Sequence, residues 1–246
     1  AGHHRLREGE QVIANPGQYL PAFKRLATRF SPEKRAALTL PGPLEPGMFE
    51  MDALLAGQSK TPVEEQVSPG DLAVIQYTGG TTAEPKGVML SHRNLVANTL
   101  QTRHWMPDAK ERAERFLCVI PFSHIYGLTT ALNVPVALGA TLILKARFET
   151  ENILQAIKRY KPTIFPGVPQ MYVAISSYPG VRRFGISSIR ACICGSAPLP
   201  VEVQEEFEKL TRGKLVEGYG LPEASPVPHA KPLNGVRKVG SIGIPL

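Results

Sequence analysis

Short apolar runs alternate with amphipathic segments over most of the chain after Asp71. The runs with the length and composition of buried strands are LAVIQY, RFLCVIP, ATLILKA, TIF, IRACIC and KLVEGYG. Between them, apolar residues recur every three or four positions, as Ile153, Ile157 and Tyr160 do, and this spacing predicts helices with one apolar face. Strand and helix patterns therefore alternate along this part of the chain.

Residues at the ends of the amphipathic segments predict where the helices begin and end. Ser91 and Thr150 each precede such a segment and suit N-caps, and Pro200 suits the first turn of a helix. Gly139 ends the helix that begins near Tyr126, because glycine readily adopts the left-handed conformation that closes helices.

Continuous apolar strands are typical of a sheet that is covered on both faces. Together with the alternation of strands and helices, they predict an α/β fold with layered, mostly parallel sheets and helices on both faces. In such folds, ligands bind beyond the carboxyl ends of the strands. The residues that follow each strand are therefore the candidates for a functional site.

Residues 1–70 differ from the rest of the chain in their density of proline, glycine and charge. An apolar cluster at helical spacing runs from Tyr19 to Leu26, and a short helix is predicted around residues 51–56. We interpret residues 1–70 as a partial N-terminal subdomain with a connecting segment. Residues 71–246 are interpreted as an incomplete α/β core.

The composition excludes several classes of protein. With 43% hydrophobic and 20% charged residues, the chain of 246 residues is typical of globular proteins and not of disordered or fibrous ones. The longest apolar segment, from Leu128 to Leu144, is interrupted by asparagine, proline and glycine, so no membrane span is predicted. The 3 cysteines favour a reducing compartment such as the cytoplasm over a secreted disulfide scaffold.

The chain has a formal net charge of +7, but its basic residues are interleaved with acidic ones. A surface that binds nucleic acid is expected to be more clustered, so a nucleic-acid module is the weakest interpretation. A mildly basic surface suits a phosphorylated metabolite, an anionic membrane face or ordinary solvation. Peripheral membrane contact therefore stays an alternative.

The segment after the first predicted strand, YTGGTTAEPKGVMLSH, concentrates groups that bind anions. Its glycines let the backbone approach a ligand closely, its threonines supply hydroxyls and its lysine supplies a positive charge: Thr78, Gly79, Gly80, Thr81, Thr82 and Lys86. Amides, hydroxyls and an ammonium in one short loop predict a cradle for a polyphosphate. The order differs from a P-loop, in which the lysine directly precedes serine or threonine and a helix.

This loop resembles the phosphate-binding signature of the adenylate-forming superfamily, which includes acyl-CoA synthetases, luciferases and the adenylation domains of peptide synthetases. Further segments resemble its other motifs in the same order: PFSHIYGLT, CGSAPLP, EGYGLPEAS and VGSIGIPL. The resemblance covers residues 70–246, and the combination looks most like a long-chain fatty acid–CoA ligase. It implies part of the large N-terminal domain of acyl-CoA synthetases. It also implies ATP-dependent conversion of a fatty acid to an acyl-adenylate and then to a CoA thioester.

The resemblance implies a role for each strand-end segment. Residues 78–86 would hold the β- and γ-phosphates of ATP, and Tyr219 would offer its ring to the adenine. Glu223 and Thr78 would coordinate Mg²⁺, and His124 would donate to the carboxylate or the phosphate. The implied nucleotide-binding residues are Thr78, Gly79, Gly80, Thr81, Thr82, Lys86, Gly195, Ser196, Ala197, Pro198, Glu217, Gly218, Tyr219 and Gly220, and the implied catalytic residues are His124, Glu223 and Lys86.

The implied contacts to the acid are Phe122, His124, Tyr126 and Gly167. Apolar residues at these places are equally expected of an ordinary core. A buried methylene contributes about 0.8 kcal/mol, so a long acyl chain would gain affinity with its length. Coenzyme A is implied as the co-substrate.

Some positions depart from the family pattern. The family usually has threonine where this chain has Pro222, and glycine where it has Ala83. Proline offers neither hydroxyl nor N–H, and alanine is strained wherever φ is positive. Leu128 stands where some long-chain ligases have an aromatic gate. An impaired homologue that only binds a nucleotide or acyl group therefore stays an alternative, as does an aryl, short-chain or amino acid as the substrate.

The printed sequence shows no counterpart of the family's ribose-binding aspartate motif, its hinge or its lysine-bearing C-terminal domain. In the family, that lysine contacts the reacting carboxylate. We therefore expect this chain to keep part of an ATP site without completing ligation by itself.

Overall fold

The computed structural model describes residues 10–14, 44–62, 64–78 and 84–246. It divides into two compact units, Ala1–Gln66 and Val67–Leu246. The predicted apolar cluster from Tyr19 to Leu26 lies outside the described residues.

In the first unit, strand β1 (Gln11–Ile13) pairs in parallel with strand β2 (Met48–Glu50). Helix α1 (Met51–Ala56) follows β2 directly. The short helix predicted around residues 51–56 is therefore confirmed.

The second unit holds the remaining elements. In chain order they are β3 (Leu72–Thr78), β4 (Lys86–Ser91), α2 (His92–His104), β5 (Arg115–Cys118), α3 (Ile125–Gly127), a π-helical stretch (Leu128–Asn133), α4 (Val134–Ala137), β6 (Thr141–Leu144), α5 (Thr150–Tyr160), α6 (Pro169–Ser176), β7 (Ala191–Cys194), α7 (Val201–Thr211), β8 (Lys214–Tyr219), β9 (His229–Ala230) and β10 (Ile244–Pro245). Short 3-10 turns occupy Val181–Phe184, Ile186–Ser188 and Pro222–Ala224. None of the described helices is both long enough and apolar enough to cross a membrane.

A parallel sheet organises this unit. Strands β5 and β6 pair in parallel, as do β7 and β8, and Ile164 joins the two pairs through bridges to Phe116 and Ala191. Beyond β8 the sheet continues antiparallel through β9 and β10. The predicted strand TIF forms isolated bridges because Pro162 and Pro166 flank it and lack a backbone N–H. The predicted α/β fold with mostly parallel strands is confirmed.

Strands β3 and β4 form a separate antiparallel hairpin. Within it, Ile75, Tyr77 and Met89 are 50%, 67% and 70% exposed. The expectation that every apolar run is covered on both faces is therefore wrong for LAVIQY. The physical reason is that antiparallel strands can leave one face open to solvent, which parallel strands with crossover helices do not.

Side chains cover both faces of the parallel sheet, because successive strand residues point to opposite sides. One buried cluster contains Leu117, Cys192, Cys194 and Leu215, packed with residues of α5, α6 and α7. The other contains Phe116, Ile193 and Val216, packed with Met106, Ala131 and Val134. These two cores hold the carboxyl ends of the strands at one common edge.

All 3 cysteines are free and buried. Cys192 and Cys194 belong to the same buried cluster, as their alternation along β7 predicts. Burial raises the pKa of Cys118 and of Cys194 to about 12, so both stay as thiols near neutral pH. The cysteines therefore serve in packing.

The helix ends follow the sequence signals in part. Ser91 caps α2 in a capping box with Asn94, as predicted. Lys161 ends α5 in a left-handed conformation with φ of 48°. The prediction that Thr150 caps α5 is wrong, because Thr150 is already the first helical residue. Glu149, with an extended φ of −134°, occupies the cap without a side-chain hydrogen bond.

Candidate functional site

A cavity of about 200 Å³ opens beyond the ends of β7 and β8. Its walls consist of residues that follow β5 and of residues at or after the ends of β7 and β8: His124, Ile125, Tyr126, Ile193, Gly195, Ser196, Gly218, Tyr219, Gly220, Leu221, Pro222, Pro226 and Val227. Carboxyl ends of neighbouring parallel strands lie at the same edge of a sheet, so segments far apart in the sequence meet here. The structure thus brings residues of HIYG, CGSA and GYGLP together.

His124 stands at the N-cap of α3, where the chain turns after β5. The side chain is exposed, and the backbone N–H of Tyr126 donates to its Nδ1 at 3.2 Å. Because Nδ1 accepts this hydrogen bond, a neutral imidazole holds its proton at Nε2. The Nε2–H group is therefore the donor that His124 can offer to a ligand.

Tyr126 is buried, with its hydroxyl directed at the backbone behind the cavity. The hydroxyl oxygen lies 2.6 Å from the carbonyl oxygen of Ile193 and 3.1 Å from that of Gly167. Burial raises the pKa of this phenol well above its ordinary value, so it stays protonated and can donate. Tyr126 thus fastens α3 to β7, and it is a wall of the cavity and not a reacting group.

Phe122 and Gly167, both predicted to contact the acid, do not line this cavity. Phe122 is half-buried and packs against one core cluster of the sheet. The N–H of Gly167 donates to Ile193 at 3.1 Å, and its carbonyl oxygen accepts from Gly195 at 3.2 Å. A Cβ atom at Gly167 would lie 2.9 Å from the Tyr172 hydroxyl, so packing alone requires glycine here.

The turn after β7 forms one wall through Gly195 and Ser196. Ser196 has a φ of 67°, which is uncommon for a residue other than glycine and is frequent at ligand-binding turns. The predicted nucleotide-binding residues Ala197 and Pro198 belong to the same turn but do not line the cavity. Ala197 is half-buried and Pro198 is exposed.

The end of β8 forms another wall, in which Tyr219 is 44% exposed. A Cβ atom at Gly218 would lie 3.0 Å from the Ile193 side chain, and one at Gly220 would lie 2.5 Å from the carbonyl oxygen of Pro226. Packing therefore requires glycine at 220, whereas a side chain at 218 would need the Ile193 side chain to shift. Because neither carries a side chain, the Tyr219 ring is the main side-chain surface of this wall.

The turn Pro222–Ala224 continues from this wall. Pro222 lines the cavity, whereas Glu223 is exposed and does not. The turn contacts strand β4, which begins at Lys86. The segment with the predicted metal ligand Glu223 therefore lies beside the strand that follows the predicted phosphate loop.

Most of that loop lies outside the described residues, namely Gly79, Gly80, Thr81, Thr82 and Ala83. Its two ends are described. Thr78 and Lys86 pair across the β3–β4 hairpin, and the Thr78 Oγ1 lies 3.4 Å from the carbonyl oxygen of Lys86. The Lys86 side chain is exposed at the base of the loop.

Glu217, predicted to bind nucleotide, does not line the cavity. One carboxylate oxygen lies 3.0 Å from the ammonium of Lys231, and the other accepts the backbone N–H of Leu199 at 3.3 Å. Lys231 is not among the residues predicted from the sequence. The sequence offers no signal for it, because a single lysine in a proline-containing stretch is typical of an exposed loop.

Among the described residues, no group of three or more histidine, cysteine, aspartate and glutamate side chains could hold a metal ion. The predicted ligands Thr78 and Glu223 offer a hydroxyl and a carboxylate. Mg²⁺ usually takes one or two protein carboxylates and completes its shell with phosphate oxygens and water. This donor set suits Mg²⁺ that arrives with a polyphosphate.

Known proteins resemble the chain in sequence over much of its length. The long-chain-fatty-acid–CoA ligase of Bacillus subtilis (strain 168) is 53% identical over 175 residues, which cover 71% of this chain and 31% of that protein. The 4-coumarate–CoA ligase CCL1 of Humulus lupulus is 32% identical over 220 residues, which cover 88% of this chain and 40% of that protein. The chain thus spans less than half the length of these curated relatives.

Solved structures share the fold. ATP-bound MatB from Rhodopseudomonas palustris matches with a TM-score of 0.72 and 26% identity, over 96% of this chain and 45% of that chain. A long-chain-fatty-acid-CoA ligase from Archaeoglobus fulgidus matches with a TM-score of 0.66 and 25% identity, over 80% of this chain and 42% of that chain. The family described as AMP-binding enzyme matches residues 17–246. This match extends over nearly the whole sequence, and the chain therefore belongs to the AMP-binding enzyme family.

Proposed function

We propose that this chain is the ATP-binding part of an acid–thiol ligase, which converts a fatty acid to an acyl-adenylate and then to an acyl-CoA thioester. The observation that carries the proposal is the cavity that joins His124, Ser196 and Tyr219 beyond the ends of β7 and β8. Family membership and the long-chain-fatty-acid–CoA ligase relative support it.

The first step brings two anions together. A carboxylate oxygen of the acid attacks the α-phosphorus of ATP, and pyrophosphate leaves with the electrons of the broken P–O bond. The thiol of coenzyme A then attacks the acyl carbon, and AMP leaves. Positive charge and N–H donors must lower the repulsion in the first step. We assign this task to Lys86, to the loop of residues 79–83 and to the Nε2–H of His124.

The adenine is assigned to the wall formed by Tyr219. Its ring is 44% exposed, and the adjacent Gly218 and Gly220 leave the backbone bare. A flat base with two apolar faces suits such a wall, since aromatic rings stack on bases. The shared fold of ATP-bound MatB supports ATP as the nucleotide.

Thr78 and Glu223 would hold Mg²⁺ together with the phosphate oxygens, and the bound ion would neutralise part of the polyphosphate charge. Lys86 adds a cation from the protein itself, because its side chain is exposed at the base of the loop. The nucleotide would thus be held at its base by Tyr219 and at its phosphates by the hairpin.

A fatty acid is the acid that we propose, on the strength of the 53% identical relative from Bacillus subtilis. The acyl chain needs apolar walls, and Tyr126 and Ile125 supply some beside His124. An aromatic acid is the second candidate, because the Humulus lupulus relative is named as a 4-coumarate–CoA ligase. Both candidates require the same adenylation step.

A reducing compartment such as the cytoplasm suits the protein, since its cysteines are all free and buried. Contact with an anionic membrane face is part of the same proposal, because fatty acids partition into membranes and the chain has a net charge of +7.

The test is acid-dependent ATP–pyrophosphate exchange by the full-length protein. Palmitate, a short-chain acid, 4-coumarate and an amino acid are compared at equal concentrations. We expect the fastest exchange with palmitate. If only 4-coumarate supports exchange, the proposed substrate changes from a fatty acid to an aromatic acid. If none of the acids supports exchange, the proposed adenylation is overturned.

The isolated chain is tested separately by pyrophosphate release with palmitate, ATP and Mg²⁺. We expect ATP binding without turnover, because the isolated chain spans less than half the length of its curated relatives. Robust turnover by the isolated chain would contradict this expectation.

A further inference from the structure

An ion pair between a buried lysine and a half-buried glutamate lies behind the cavity. The Lys231 side chain is 6% exposed, and its Nζ lies 3.0 Å from Oε2 of Glu217, the residue before Gly218 in β8. Within the part of the chain that the structure describes, Lys231 is the only buried basic residue. Burying two charges removes their hydration, and their attraction often does no more than offset that loss. Stability alone is therefore a weak reason for this pair.

Glu217 connects the two walls of the cavity. Along the chain it leads directly into Gly218, Tyr219 and Gly220, which form one wall. Its Oε1 accepts the backbone N–H of Leu199 at 3.3 Å, and Leu199 follows the turn that forms the other wall. The direction of this one carboxylate therefore sets how the turn after β7 lies against the end of β8.

Lys231 is itself fixed in place by its backbone. Its N–H donates to the carbonyl oxygen of Glu217 at 2.9 Å, and its carbonyl oxygen accepts from Nε1 of Trp105 at 3.0 Å. The backbone of Lys231 is thus anchored to β8 on one side and to the end of α2 on the other. From this fixed point its buried side chain reaches Glu217 and holds the carboxylate in one direction.

We propose that Lys231 is a positioning residue for the nucleotide. By holding Glu217 against Leu199, it sets the width of the space between the turn after β7 and the Tyr219 wall. This inference rests on the proposed function, which assigns that space to adenine. Lys231 does not line the cavity, so it acts on nucleotide affinity and not on the chemical step.

A second ion pair near the other end of β8 provides a matched control. Arg237 Nη1 lies 2.5 Å from Oε1 of Glu208, and the two side chains are 20% and 19% exposed. Glu208 also accepts a backbone N–H, that of Leu215, at 2.8 Å. In both pairs a glutamate bonds to a basic side chain and to a backbone N–H, but neither Arg237 nor Glu208 lines the cavity.

The experiment measures ATP–pyrophosphate exchange by the full-length protein with Lys231→Met, Lys231→Arg and Arg237→Met. For Lys231→Met we expect the KM for ATP to rise about tenfold, with kcat and the KM for the acid nearly unchanged. Lys231→Arg keeps the charge and should recover part of the ATP affinity. Arg237→Met should lower the thermal midpoint without changing the KM for ATP.

Two further measurements separate positioning from misfolding. The only tryptophan of the chain, Trp105, bonds to Lys231, so an unchanged emission maximum shows that the local backbone is intact. If Lys231→Met does not fold, the double variant Lys231→Met/Glu217→Gln removes both charges of the pair, and it should also raise the KM for ATP.

The outcomes distinguish the two proposals. An unchanged KM for ATP in the folded lysine variants, or an equal rise in Arg237→Met, would overturn the positioning role and leave the proposed function intact. Absence of exchange in the wild-type protein would overturn the proposed function, and the positioning role with it.

Discussion

At the amino end of the parallel sheet, the buried carboxylate of Glu114 accepts from Arg190 at 2.5 Å, from the backbone N–H of Lys110 at 2.8 Å and from the Thr163 hydroxyl. At the carboxyl end of the same sheet, His124 is exposed and Tyr219 is 44% exposed beside a cavity. The Glu114 carboxylate has its hydrogen bonds satisfied within the protein, whereas the carboxyl end keeps polar and aromatic groups accessible beside the cavity. We infer that the Glu114 cluster contributes to stability, whereas the carboxyl ends of the same strands are kept for ligand binding.

Replacing His124 should have the largest effect at the carboxyl end. Removal of one preorganised donor from a site that stabilises developing negative charge costs about 10²–10³ in rate, and we expect His124→Phe to lower exchange by that factor. His104→Phe is the control, because His104 is exposed at the end of α2 and does not line the cavity. An equal loss of exchange in the two variants would show that His124 has no specific role at the site.

Replacing Tyr219 should have the second-largest effect, which is a weaker affinity for ATP. Loss of a stacking ring costs about 1–3 kcal/mol per base, so Tyr219→Ala should raise the Kd for ATP measured by calorimetry by about 5- to 150-fold. Tyr219→Phe keeps the ring and should bind as the wild type does. Tyr160 has the same exposure of 44% on α5, and Tyr160→Ala is expected to leave the Kd unchanged.

A substitution at the amino end of the sheet should lower the stability of the protein without changing its affinity for ATP. Glu114→Gln should lower the free energy of unfolding by about 1–3 kcal/mol, because buried hydrogen-bonding groups lose their charged partner. The Kd for ATP should not change. A weaker ATP affinity without a loss of stability would contradict the division between the two ends.

Acid should remove the contribution of Glu114. Burial alone raises its pKa, but hydrogen bonds from Lys110, Thr163 and Arg190 outweigh burial, so the pKa lies below its ordinary value of 4.5. A lowered folded-state pKa means that the stabilisation is present above the unfolded value and is lost as the pH falls through the folded value. In urea unfolding, the difference between wild type and Glu114→Gln should therefore shrink below pH 4.5.

The smallest expected effect is an increase in the exchange rate, on replacing Pro222. Pro222 lines the cavity at the position where the family usually has threonine. A hydroxyl that bonds to a phosphate contributes about 1 kcal/mol net, so Pro222→Thr should speed exchange about fivefold. Pro222→Ala lacks the hydroxyl and is the control. A gain far above this would favour the interpretation of the wild type as an impaired homologue, and no gain would show that the hydroxyl is dispensable.

Much of the parallel sheet could be predicted from the sequence, because apolar strands and amphipathic helices each carry a local pattern. The hairpin of β3 and β4 could not, since an apolar run such as LAVIQY does not tell which strand it pairs with. The cap of α5 was misassigned by one residue, because threonine is a preferred N-cap residue, whereas the actual cap, Glu149, is not one.

The candidate site divides in the same way. His124, Ser196 and Tyr219 could be found from their positions at or after strand ends, and the structure places all three at one cavity. Lys231 could not, because its importance arises from a partner 14 positions away in the sequence and from burial that composition does not reveal. Glycines were interpreted as ligand contacts, whereas Gly167 is required by the Tyr172 hydroxyl.

The burial of Cys118, Cys192 and Cys194 has a practical consequence for studying the protein in solution. Folded chains should resist alkylating reagents, since the reagents attack thiolates that are accessible to solvent. A cysteine introduced at the exposed Pro198 would then be the single point of attachment for a dye or spin label at the rim of the cavity. The native thiols would react only when the sheet opens, so their rate of modification would report how often the sheet opens.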